Sequence, residues 1–430
     1  MKKRLAVLFA FLFVLSISVS AQWTYQGPWP DDTYKNGGHG IVVDPDGKIW
    51  QASYYKTDWN GNSVSPIFVF NPDGTLLDTM FTVTTNGITD TLGLGGGSSG
   101  TRGLGKDNEG NIIFVSSTPN KIIKIDYQTR QGIARRLIGP DEIGSSPTKP
   151  SVSDDGTIYI GPVVGGGTTA IATYDAELNY TGPAVVGPPN IARTMQVSPD
   201  GLTIYWTTFT GKMGIWLYTR ADELSAFELT DSLFIDYPDN LGMSIESVTI
   251  DRTTDLLWIS NDSRGSSVFT DLTWYGVNRT TFAIVDSFTL PDPVPGAADK
   301  YPRAIEFSND GLSVYVSLFG TAFDRMYKFD KVVGVEDQGE VVVNGYKLSQ
   351  NYPNPFNPTT KINFELSASG FTTLKIYDML GNEVATLVQN ELTAGSHSVN
   401  FNAASLASGT YLYQLNVNGT RITNKMVLLK

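Results

Sequence analysis

The chain contains no cysteine and only two histidines among its 430 residues. The first absence excludes a thiol nucleophile, a disulfide scaffold and any thiolate-ligated zinc or iron–sulfur centre. The second leaves His39 and His397 as the whole imidazole supply, so a two-histidine metal site would require residues far apart in sequence to meet. Positive charge is also short, with 31 Lys and Arg against 43 Asp and Glu and a formal net charge of −12. Without a basic surplus to neutralise phosphates, nucleic-acid binding is excluded as a class. Long apolar runs are scarcer still. The one run, residues 5–19, follows Lys2, Lys3 and Arg4 and leads into Val19-Ser20-Ala21. It falls short of the ~20 residues needed to span a bilayer. A charged start, an apolar middle and small residues before the cut read as a signal peptide over residues 1–21, leaving Gln22 as the mature N-terminus. The mature chain is therefore expected to be exported, without a transmembrane segment, and at −15 once those three cations are removed.

At roughly 100–200 residues per domain the length suggests two or three domains, and composition divides them. All eight tryptophans lie before residue 340. Residues 344–430 carry six basic and four acidic side chains, so residues 22–343 hold −17. The boundaries read as a signal peptide at 1–21, a large domain at 22–336, a linker at 337–346 and a small domain at 347–430.

The small domain opens on a proline-rich stretch, Asn351-Tyr352-Pro353-Asn354-Pro355-Phe356-Asn357-Pro358. Its prolines forbid a helix and favour an extended path that packs Tyr352 and Phe356. Six alternating runs follow, at 361–366, 372–379, 383–389, 397–402, 410–417 and 421–429, separated by turn residues such as Gly381-Asn382, Gly395, Gly409 and Asn418-Gly419. Short strands with a turn every 8–12 residues predict a small immunoglobulin-like β-sandwich. The proline-rich stretch, Ile376-Tyr377-Asp378 with Gly381, Gly409-Thr410-Tyr411 and the ending at residues 425–430 resemble the type A C-terminal sorting domain of type IX secretion cargo. The resemblance covers the last ~85 residues. It implies export through the outer membrane of a Bacteroidetes/Chlorobi-type bacterium, engagement of the type IX machinery by residues 347–430, and release or attachment at the cell surface. Any activity would then belong to residues 22–343.

The large domain repeats a strand–turn–strand unit, seen in Gly40-Ile-Val-Val-Asp-Pro-Asp-Gly-Lys-Ile-Trp50 and Met195-Gln-Val-Ser-Pro-Asp-Gly-Leu-Thr-Ile-Tyr205. The turn glycines stand at 47, 110, 156, 201 and 311, with Thr254 in the equivalent place. Third strands are expected at 67–70, 122–126, 171–175, 215–218, 277–284 and 326–330, and a fourth after each, as at 76–83. Four strands per ~40–50 residues is the signature of a propeller blade, and six units predict an all-β, six-bladed β-propeller. Gly93-Leu-Gly-Gly-Gly-Ser-Ser-Gly100 explains the long first interval as a flexible insertion. An open ring would expose two sheet edges, so Gln22-Trp-Thr-Tyr-Gln26 is expected to close it as the outer strand of the last blade. The repeat resembles the NHL/gluconolactonase-like propellers, a likeness of fold that transfers no function by itself.

Several motifs imitate sites. The Asp-Gly turns at 44–47, 71–74, 154–156 and 309–311 lack the ligand spacing of a calcium loop, whereas Asp, Asn and Gly suit tight turns. Gly96-Gly-Ser98-Ser-Gly100 fits a nucleophile elbow in letters only, since neither strand nor helix flanks it.

Ligands of a propeller bind at one mouth of its channel, built from the residues that enter each innermost strand. Eight positions before each turn position stand His39, Arg102, Thr148, Arg193, Glu246 and Arg303. Three arginines against one glutamate make this ring positive in an acidic domain. Guanidinium groups grip planar anions bidentately, and a narrow mouth focuses their field. One reading is a site for a carboxylate, sulfate or phosphate, for instance on an acidic sugar. The other is that each arginine pairs with a carboxylate of a neighbouring blade. The loops after the second strands add Tyr54, Tyr55, Ser116, Ser117, Thr208, Asn261, Asp262 and Phe319. The gluconolactonase-like resemblance implies a further alternative, a calcium-dependent lactonase-like hydrolase with Glu246, Asn261 and Asp262 as oxygen ligands. No other cofactor is indicated. His39 alone rules out a histidine dyad within this domain, though with Arg193 it keeps a quinone-dependent dehydrogenase open. Trp29, Trp59, Trp274 and Tyr275 fall in loop-like surroundings, to stack on sugar rings or cover blade edges. The leading expectation is a secreted or cell-surface binding or scaffolding protein with an anion-favouring funnel, its catalytic residues, if any, unassigned.

Overall fold

A computed structural model describes residues 22–31, 38–53, 56–57, 60–94, 100–101, 103–235, 242–262, 264–291, 301–319, 326–332, 341–343, 346–349, 351, 354, 356–378, 382–418 and 420–429. The signal segment, Arg102, Tyr54, Tyr55, Trp59, Tyr352 and most of the 93–100 insertion lie outside them. The chain divides into a unit spanning Trp23–Val332 and a second one from Val333 onward.

Among the described residues the first unit holds six sheets of four or more strands and a two-stranded ribbon, Lys56–Thr57 with Ser63–Val64. Sheet one runs Gly38–Val43, Ile49–Ser53, Ile67–Phe70 and Leu76–Met80 from inside outward. The fifth runs Val248–Asp251, Leu256–Asn261, Thr273–Asn278 and Ile284–Thr289. Each innermost strand packs against the next, and Gly38–Val43 packs against Tyr301–Phe307 of the last sheet, which closes the ring. Burial on both faces makes the closure possible. Ile112 and Phe114 join a core shared with the first sheet, while Ile113 and Val115 join one shared with the third. Six such cores fill the six inter-sheet spaces, the last combining Val43 and Phe70 with Ala304 and Tyr315. This is a β-propeller.

The last sheet takes its outer strand from the other end of the chain, Gln22–Trp29 lying beside Met326–Val332. Trp23 anchors that strand, its ring 5.9 Å from Trp258 and its indole N–H donating to Asp286 at 3.2 Å. The Asp-Gly turns are structural. Asp44 accepts from the Lys48 amide and from the Trp50 indole, both at 2.9 Å, and Gly47 takes φ +80°.

Several local expectations are corrected. The left-handed position of the fifth turn falls to Asp255 (φ 59°) rather than Thr254, because its N–H bonds the carbonyl four residues back, at Asp251, where Gly47 bonds one three back, at Asp44. The third strand of that sheet starts at Thr273, not 277. A β-carbon at Gly276 would sit 3.0 Å from the ring of Trp258 on the neighbouring strand, so glycine lets the two strands pack closely there. Trp274 is accordingly fully buried, stacked on Phe288 and bonded through its indole N–H to Ser247 at 3.0 Å. Trp29 packs on Phe70 and Tyr315, and the Tyr275 hydroxyl accepts the Thr270 amide, so these aromatics belong to the framework. The outer strand of sheet one ends at Met80; Thr82–Thr85 and Ile88–Thr91 form a hairpin on the edge of the second sheet. Asp90 anchors it, paired with Lys121 at 2.5 Å and Arg135 at 2.7 Å.

In the C-terminal unit two four-stranded sheets enclose one core that includes Leu348, Ile362, Phe364, Tyr413, Leu415 and Met426. Strict alternation along Thr359–Leu366 directs every second side chain inward. Val341–Val343 pairs with Tyr346–Leu348 as an edge strand, so part of the expected linker belongs to this unit. Side-chain hydrogen bonds tie down the proline-rich stretch. The Asn354 side chain accepts the Val427 amide at 2.8 Å, the Asn351 main-chain N–H donates to the Tyr413 hydroxyl at 3.0 Å, and the Asn351 side-chain NH₂ donates to the Thr360 hydroxyl at 2.9 Å. Phe356 is buried and its main chain pairs with Val427 and Leu429, tying the motif to the final strand.

Candidate functional site

The innermost strands bring four of the expected mouth residues to one end of the channel, linked by side-chain contacts across neighbouring sheets. Arg303, at the start of the last sheet, is 9% exposed and forms an ion pair with Glu246 of the fifth, which is fully buried. The Arg303 guanidinium also lies 4.8 Å from the Phe319 ring, and Phe319 meets His39 edge-on at 5.3 Å. Arg193 of the fourth sheet stands over Phe209 at 4.9 Å. Thr148 takes no part in this cluster. Its hydroxyl accepts the Gly161 amide at 3.0 Å, and the residue is buried within its own sheet.

A residue absent from the expected set joins these pieces. Arg264 pairs with both Glu246 and Asp262, and its guanidinium lies 4.1 Å from Tyr301 and 4.7 Å from Phe209. Phe209, Tyr301 and Phe319 thus alternate with Arg193, Arg264 and Arg303 across three sheets. Stacked guanidinium groups keep their charge while their flat faces are covered. Phe209 was within reach of the repeat arithmetic, since it stands eight residues after its turn glycine, as Phe319 does. Arg264 was not, because it lies in the connection between the second and third strands of the fifth sheet, where the repeat fixes no position. Asn261 tacks that loop down, accepting the Ser244 amide at 3.2 Å and donating to the Phe269 carbonyl at 3.2 Å. A β-carbon at Gly265 would fall 2.2 Å from the Asn261 amide oxygen, so the turn beside Arg264 demands glycine.

Pairing between sheets is therefore realised at Arg303 and Glu246, and three guanidinium groups face two carboxylates, among the described residues. Burial pushes the Asp262 carboxyl up to about 7. The Arg264 main-chain N–H, the Ser244 side chain and the Arg303 charge pull it down without overcoming that cost.

The expected calcium ligands do meet here, but their donor set does not fit the ion. Glu246 and Asp262 both carry the Arg264 cation, and the Asn261 oxygen is committed to a main-chain N–H. Among the described residues no three His, Asp or Glu side chains gather as a metal site.

A ring of sheets with a charged, aromatic mouth, followed by a C-terminal unit of two sheets around one core, defines a β-propeller with an appended all-β unit. Residues 350–429 match the family described as the secretion system C-terminal sorting domain. The protein is accordingly a secreted protein of the outer-membrane surface, and its tail addresses it to the secretion machinery. None of the curated proteins matches the chain.

Among solved structures, virginiamycin B lyase from Staphylococcus aureus is 15% identical, with a TM-score of 0.45 over 72% of this chain and 99% of that one. PorZ, a surface component of the type IX secretion system of Porphyromonas gingivalis, is 13% identical with a TM-score of 0.42, over 92% of this chain and 60% of its own. A protein placed in the gluconolactonase family is 10% identical with a TM-score of 0.49, over 73% and 92%. Such distant likeness transfers no activity.

Proposed function

We propose that this chain is a six-bladed propeller acting outside the cell as a binding module, with the Arg193–Arg264–Arg303 mouth receiving an anionic ligand. Carboxylate, sulfate or phosphate groups, as on an acidic sugar, fit its chemistry. In this reading the immunoglobulin-like sandwich is the address that engages the type IX machinery. One observation carries the proposal: three guanidinium groups and three aromatic rings converge on two carboxylates in a domain that is otherwise strongly acidic. The aromatic rings supply flat apolar area for a sugar face, and the cations supply directional donors.

The test replaces Arg193, Arg264 and Arg303 with alanine and measures binding to sulfated, uronic-acid and neutral glycans. Loss of charge-assisted hydrogen bonds is expected to weaken anionic binding by about tenfold or more while leaving neutral glycans unaffected. Unchanged anion binding together with a lower melting temperature would confine the arginines to holding the sheets together and end the proposal.

A further inference from the structure

Apart from the mouth, the innermost strands and the segments leading into them line a cavity of ≈ 110 Å³. Its charged and amide-bearing lining is Lys106, Lys149, Gln196, Arg252 and Glu306. The Lys106 ammonium donates to the Val43 carbonyl at 2.6 Å, and Lys149 reaches to the Val248 carbonyl, two sheets away, at 3.3 Å. Those carbonyls are neutral, and an ammonium has three N–H donors. Arg252 is already paired with Asp154 at 2.6 Å. Glu306 forms no ion pair with either lysine, among the described residues, although its charge acts on Lys149. Two lysine cations thus share a lumen with one carboxylate that does not reach them.

We propose that the channel lumen binds a small oxyanion, sulfate or phosphate, held between the Lys106 and Lys149 ammonium groups. The cavity has room for one. A single buried water needs about 10–15 Å³ by the same measure. An anion there would take up ammonium donors that main-chain carbonyls leave over and screen the two cations from each other. The Gln196 side-chain amide donates to Ser151 Oγ at 3.1 Å and to the Val197 carbonyl at 3.0 Å, which fixes the polar wall beside the site. Burial pushes the Lys149 ammonium below its ordinary pKa, with Glu306 opposing and Lys106 adding to the shift, as expected where a compensating charge is missing. This site uses none of the mouth side chains and stands apart from the proposal made for them.

The test titrates the full chain with sodium sulfate or sodium phosphate at constant ionic strength, balanced with sodium chloride, and follows melting by tryptophan fluorescence. Sulfate stabilises most proteins by exclusion from their surface, without saturating. The wild-type chain is expected to show an added, saturable rise of roughly 2–4 °C. Lys106→Met and Lys149→Met are each expected to lose the saturable part, and Lys361→Met, an exposed lysine of the C-terminal unit, to keep it. Calorimetric titration with sulfate gives a second readout for any variant of reduced stability. A purely linear response of the wild-type chain, or a saturable one that survives in both lysine variants, overturns the site. Loss in Arg193→Ala alone would move sulfate to the mouth and equally overturn it.

Discussion

Glu246 is the keystone of the mouth, and replacing it with glutamine tests that directly. Its carboxylate is fully buried between Arg264 and Arg303, and the Arg303 side chain is itself only 6% exposed. Glutamine has nearly the same shape but no charge, and it turns an NH₂ donor toward groups that can only donate. The variant leaves a buried guanidinium without its counter-charge, a loss of about 3–5 kcal/mol. At that size the melting temperature falls by roughly 5–10 °C. Because all eight tryptophans precede residue 340, tryptophan fluorescence reports on the propeller unit alone. Urea unfolding followed at that signal gives the free-energy change without interference from the C-terminal unit. The double variant Glu246→Gln, Arg303→Met removes the stranded charge and is expected to regain most of the loss, since apolar replacement of a buried pair is often close to neutral. A single variant within about 0.5 kcal/mol of wild type, or a double variant as unstable as the single one, would refute the pairing argument.

A carboxyl whose pKa is raised on folding keeps a proton that the unfolded chain releases, so Asp262 lowers stability as pH climbs from about 4 to about 7. Urea midpoints across that range should show the decline in wild type and a flatter profile in Asp262→Asn. Trp23→Ala removes the half-buried anchor of the closing strand and is expected to cost the propeller about 2–3 kcal/mol by urea unfolding; a cost near zero would mean the strand does not hold the ring. Removing residues 333–430 should leave the tryptophan melting transition in place while surface delivery, measured by cell fractionation, disappears. Calcium and chelator are expected to leave the melting temperature unchanged, because Arg264 already occupies the carboxylates a calcium ion would need; a chelator-sensitive melt would show that the loop opens to admit the ion.

Much of this architecture is written in local pattern. The repeating Asp-Gly turn, the alternation of apolar residues and the proline-rich entry depend on neighbours a few positions apart, so strands, turns and the sorting unit could be read in order along the chain. The closing strand Gln22–Trp29 could be anticipated as well, since an unpaired sheet edge is costly wherever the ring begins. Counting back from the repeated turns picked out His39, Arg193, Glu246 and Arg303, which share one chain of side-chain contacts, though it picked out Thr148 as well, which stands outside it.

Which partner each charge takes was decided by tertiary structure. Arg264 lies in the connection after the second strand of the fifth sheet, and its hold on Glu246 and Asp262 follows from how Asn261 and Gly265 fold that loop. Trp274 was expected in loop-like surroundings, yet it is buried on a strand in which Gly276 leaves room for the ring of Trp258. The lysines of the lumen, Lys106 and Lys149, carry no local signal, being single cations on separate strands that only ring closure brings together. Sequence alone determines the modules, because strands and turns obey short-range sterics and alternation. Charge pairing depends on distances across the ring, and those exist only once the sheets have closed it.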